Sequence, residues 1–165
     1  MSRIVFSLLT MLVVVGCDAR DATGPTSRDA QPSVGSAPSQ SAAQAHVIQI
    51  DFTKWITAYP AMAGNTEYGD GTFAGRILSR TAFDNGVIVQ LEARYVVTDP
   101  TGAGHSFTAV IQGTENLVTS EAVLNGVVTE GWMIGAQVHV TFRVISPCQL
   151  GTRNQCFQGT IRIQG

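Results

Sequence analysis

The sequence predicts an all-β fold, a single antiparallel β-barrel or sandwich of about eight strands, and three observations carry that prediction. Apolar and polar residues alternate with period two in segment after segment of residues 46–165. Gly, Asn, Asp and Pro punctuate those segments at short intervals. No long run of helical periodicity supplies the crossover helices that a parallel sheet requires.

Taken in order, Ile48, Ile50 and Phe52 alternate with Gln49 and Asp51, which reads as a first strand. Residues 53–63 carry Trp55, Ile56, Tyr59 and Met62 at roughly helical spacing, but Pro60 interrupts them, so a short helical turn or loop is expected. Residues 72–80 form the next strand. Asp84-Asn85-Gly86 turns the chain into residues 87–98, where Val87, Val89, Leu91, Ala93, Tyr95 and Val97 share one face. Asp99-Pro100-Thr101-Gly102 ends that strand, and residues 105–112 form another. Asn125-Gly126 is a strong hairpin signal, and it places one strand at 117–124 and its partner at 127–132. Met133-Ile134-Gly135 breaks the chain again before strands at 136–144 and 157–164. The outward faces carry Glu92, Arg94, Arg143 and Arg162, which excludes a barrel whose outer wall faces lipid.

The N-terminus is of another character. Met1-Ser2-Arg3 precedes an apolar run from Ile4 to Gly16, broken only by Ser7 and Thr10. That is the anatomy of an export signal, and it falls short of the roughly 20 apolar residues of a membrane span. Val14-Val15-Gly16-Cys17 resembles the lipobox of bacterial lipoproteins. The resemblance implies cleavage before Cys17, a lipid on that cysteine, and export to the cell envelope with anchoring to the inner or outer membrane. Residues 18–45 are mostly Ala, Ser, Gln, Pro, Gly, Asp and Thr, a composition that suits a disordered tether. The expected organisation is therefore a signal peptide (1–16), a lipidated cysteine and linker (17–45) and an antiparallel β domain (46–165).

Charge and cysteine usage narrow the partners. The formal net charge is −2, and the arginines of the β domain are scattered, so there is no basic stripe to follow a nucleic-acid backbone. Of three cysteines the lipid takes Cys17, which leaves Cys148 and Cys156 as an even pair in an oxidising compartment. Their spacing is not that of a redox or metal CxxC, so a structural disulfide closing a polar loop is expected.

Catalytic signatures are lacking. His46, His105 and His139 show no metal-ligand spacing. Ser106 and Ser120 do not sit in a nucleophile elbow. The glycines of Tyr68-Gly69-Asp70-Gly71 and Thr101-Gly102-Ala103-Gly104 lack the Lys and helix of a phosphate loop. Glu92, Asp99, Glu115, Glu121 and Glu130 offer carboxylates without an informative spacing. No metal or other cofactor is therefore expected. The aromatic residues Trp55, Tyr59 and Tyr68 are the candidate ligand contacts: either they lid an apolar pocket, or Trp55 and Tyr59 plug one end of the core.

These readings point to a membrane-anchored lipoprotein whose β domain, without enzymatic activity, binds a molecule or supports an envelope protein assembly. The alternative is a small-molecule-binding barrel or barrel enzyme with an apolar pocket. In general architecture the domain is similar to lipocalin-like and allene-oxide-cyclase-like barrels. An interior filled throughout by side chains would favour the scaffold, and a cavity with a few convergent polar groups would favour the pocket.

Overall fold

The computed structural model describes residues 46–165, so the signal segment, Cys17 and the linker lie outside the described residues. The chain forms strands β1 (Val47–Ala58), β2 (Ala61–Thr66), β3 (Gly69–Phe83), β4 (Ile88–Val97), β5 (Phe107–Asn116), β6 (Glu121–Gly131), β7 (Gln137–Ile145) and β8 (Cys156–Gln164), with one 3-10 turn at Asp84–Gly86. Each strand pairs antiparallel with the next, and β1 pairs with β8 from Val47↔Gln164 to Trp55↔Cys156. That last pairing decides between the two expected architectures. The sheet closes on itself as an eight-stranded barrel, so among the described residues no edge strand is left unpaired.

Period-two alternation sorts the side chains. Ile50, Phe52, Lys54 and Ile56 of β1 point inward, as do Val89, Leu91, Ala93, Tyr95 and Val97 of β4. Val138, Val140 and Phe142 of β7 and Ile161 and Ile163 of β8 complete much of the lining. The interior is thus mostly apolar, with its polar residues confined to a few positions.

Two local expectations are corrected. Residues 53–63 contain no helical turn: β1 continues to Ala58, and β2 starts at Ala61 after a tight turn at Tyr59-Pro60. The apparent helical spacing of Trp55, Ile56, Tyr59 and Met62 comes from two strands read across a hairpin. Asn125-Gly126 does not turn either, because it lies within the continuous strand β6. Gly126 faces inward there, where a Cβ would run into the Val110 carbonyl oxygen, and Asn125 faces out to meet His139 Nδ1 at 2.7 Å. Close approach of neighbouring strands, not reversal of the chain, is what requires this glycine. Gly159 plays the same part between β7 and β8.

The two ends differ. The first residues of β1, the last of β8 and the loops 98–106 and 132–136 gather at one end, where Val97, Phe107, Val128 and Ile163 are buried and Tyr68, Trp132 and Met133 pack against them. The turns 59–60, 84–86, 117–120 and 146–155 surround the other end, and there the interior opens.

Candidate ligand-binding site

Lys54 is the only lysine in the chain, against nine arginines. Counting from Ile48, it holds the inward phase of β1, and it is 2% exposed. Its Nζ donates a hydrogen bond to the Tyr95 hydroxyl. Around it stand the rings of Phe142, Tyr95, Phe52, Phe157 and Phe73, with centroids 4.1, 4.3, 5.3, 5.7 and 6.0 Å from Nζ. The rings brace one another: Phe73 meets Tyr95 edge-on at 4.8 Å, and Phe142 meets Phe157 edge-on at 5.6 Å. Burial disfavours the ammonium and lowers the Lys54 pKa to about 7, against a smaller opposing pull from the Glu115 carboxylate. Ring faces favour a cation, so the cage softens the cost of the charged form without removing it.

Lys54 and Tyr95 form the inner end of a cavity of about 340 Å³. Its walls are apolar and include Met62, Ile77, Leu91, Leu117, Leu124 and Val144. Glu115, Arg80, Arg153 and Gln155 supply the polar groups nearer the opening. Glu115 occupies the inward phase of β5 in line with Phe107, Ala109 and Ile111, and burial raises its pKa, opposed by Arg80 and Lys54.

Local irregularities aim the rim groups. The β3–β4 register slips between Ile77 and Ser79, so that Ile77 and Arg80 both fall on the inward side, opposite Ala93 and Leu91. A regular strand would have turned Arg80 outward; the bulge redirects it to the cavity. On the far side, the Cys148–Cys156 disulfide closes the β7–β8 loop. The Thr152 amide donates to the Ile56 carbonyl at 3.1 Å and the Cys148 amide to Asn154 at 3.0 Å, which sets the loop carrying Arg153 beside the mouth.

The three aromatic residues singled out from sequence do not converge. Tyr59 lines the cavity at its rim. Trp55 holds the outward phase of β1, next to Gly151 of the disulfide loop. Tyr68 packs against the core at the opposite end. The remaining candidates are also dispersed. His105 Nδ1 lies 3.2 Å from Asp99 and its ring 4.4 Å from that of Trp132, at the packed end. Glu130 pairs with Arg94 at 3.4 Å on the outer wall, and Glu92 accepts from Ser79 at 3.4 Å. Among the described residues no three His, Cys, Asp or Glu side chains are placed to hold a metal ion. A wider depression of about 710 Å³ crosses the outer wall near Asp51, Glu67, Glu121 and Arg143. It is an open trough, with no buried polar side chain aimed into it.

Lys54 and Arg80 escaped sequence reasoning, whereas Glu115 was noted without a place. The signal for Lys54 was present: it continues the Ile48-Ile50-Phe52 alternation once the strand is extended by one step. Arg80 had no such signal, because a bulge cannot be read from alternation. No family model, curated protein or solved structure matches this chain.

Proposed function

We propose that the β domain is a binding module for a small amphipathic molecule, held at the cell envelope by a lipid on Cys17. The observation that supports this reading is the cavity of about 340 Å³ with a buried, aromatic-caged lysine at its inner end. Its size lies near the lower end of the roughly 300–1,000 Å³ typical of ligand pockets. The apolar walls accept a hydrocarbon or ring, Lys54 and Tyr95 meet a hydrogen-bonding atom at the inner end, and Arg80 and Arg153 suit an anionic or polar group at the mouth. A scaffold role alone gives no reason to keep a cavity and a desolvated amine, each of which costs stability.

Native mass spectrometry of the purified, oxidised chain tests the proposal. A small molecule retained in the gas phase and lost on denaturation is the expected result. Bare protein, together with failure of a fluorescent apolar probe such as anilinonaphthalene sulfonate to bind saturably, would return the chain to an envelope-scaffold reading. The variant Leu91→Trp, which fills the cavity wall, is expected to weaken probe binding about tenfold or more.

A further inference from the structure

We infer that Lys54 is an amine nucleophile that condenses with the carbonyl carbon of a small apolar aldehyde or ketone in the cavity, forming an imine. The inference rests on the reading of the cavity as a ligand site and names the class of ligand that it takes.

Residue choice is the first support. Arginine supplies every other cation in the chain, and it stacks on aromatic rings at least as well as lysine does. A cation needed only for packing or ion pairing gives no reason for this single exception. Lysine offers what arginine does not, a nitrogen that sheds its proton and then has a lone pair to donate. The position of Lys54 is the second support. The residue lines the inner end of the cavity, and its hydrogen bond to Tyr95 fixes the direction of one N–H. Desolvation, the third, leaves a substantial fraction of the amine neutral near pH 7.

The chemistry balances within the site. The Nζ lone pair adds to the carbonyl carbon while the carbonyl oxygen takes up a proton, and loss of a proton from nitrogen gives a carbinolamine. The carbinolamine hydroxyl is then protonated and its C–O bond breaks, the nitrogen lone pair forming the C=N of a protonated imine, which sheds its N–H proton to give the imine. One water leaves for each imine formed, and no oxidant or reductant takes part. Glu115, whose burial favours the protonated carboxyl, lines the same cavity and serves as the proton donor and acceptor. The ionisable side chains facing this space are Tyr59, Tyr95, Glu115, Arg80 and Arg153.

The test incubates the purified chain with octanal and sodium cyanoborohydride at pH 7, followed by proteolysis and mass spectrometry. Reduction traps an imine as a secondary amine, which adds the mass of the aldehyde less one oxygen. The expected result is an adduct on the Lys54 peptide, formed on the order of 100-fold faster than on the same lysine in the denatured chain, where the pKa is ordinary. Octanol, which lacks the carbonyl, should compete. Lys54→Met should lose the adduct while keeping the parent's far-ultraviolet circular dichroism. Glu115→Gln should slow adduct formation about tenfold or more without abolishing it. If octanal displaces the probe but leaves Lys54 unmodified, the imine is excluded and the binding function stands. If neither octanal nor the probe enters, both readings fall.

Discussion

Two titratable residues couple the barrel to pH, and both make stability rise with pH, each in its own window. Lys54 has an ordinary pKa of 10.5 in the unfolded chain and about 7 in the barrel. Between those values the unfolded chain holds the extra proton, so stability rises with pH across the window and carries the whole penalty below about pH 7. Lys54→Met removes the penalty. It is expected to be more stable than the parent by about 1–4 kcal/mol at pH 6, with the difference shrinking towards zero by pH 10. Urea unfolding at pH 6, 8 and 10 reads this, and a difference that stays constant would show that folding does not displace the proton. Asp99 acts in the same direction at lower pH, but as a stabilising group instead of a penalty. Its carboxylate accepts from the Thr101 hydroxyl at 2.6 Å and the Thr101 amide at 2.9 Å, and these bonds, with His105 adding a smaller pull, hold its pKa below 3.8. The stability it contributes is present above that value and is lost as pH falls through the depressed pKa. Asp99→Asn should therefore lower the melting temperature at pH 6 and change it little at pH 2, which thermal unfolding at the two values checks.

Strands were far more legible than their joints. Alternation in β4, β7 and β8 was strong enough to place their inward residues directly, because each strand has one buried and one wet face. The expected total of eight strands was reached through two errors that offset each other: β2 was missed and β6 was divided at Asn125-Gly126. Both errors come from features whose meaning depends on tertiary contact. An inward glycine and a turn glycine look alike in sequence, and a hairpin that joins two apolar phases imitates a helical period. Gly126→Val is expected to destabilise the barrel by about 3 kcal/mol, since the new side chain meets backbone of β5 that cannot move aside. Equilibrium denaturation measures it, and a cost under 1 kcal/mol would contradict the close approach of β5 and β6. The disulfide was legible because residues 46–165 hold only two cysteines. What it positions was not, because the seating of the loop against β1 depends on hydrogen bonds 96 residues apart in sequence. Replacing Cys148 and Cys156 together with serine should cost about 2–3 kcal/mol on the chain-entropy model, and should also weaken probe binding because Arg153 and Gln155 lose their support at the mouth.

At the scale of the molecule, the barrel divides its interior between two tasks. One end is packed with aliphatic and aromatic side chains, and the other carries a cavity, a lysine and a carboxyl that together work against stability. The packed end supplies the rigidity that the open end spends. Closure through β1 and β8 has a further consequence. His46 and Gly165 lie side by side, with the Gly165 amide 3.5 Å from the His46 carbonyl, so the ring of strands has no intrinsic starting point. A circular permutant that joins these residues by a short Gly-Ser linker and begins anew within the Asp84–Gly86 turn would keep every pairing in the sheet, merely moving the covalent gap from one pair of neighbouring strands to another.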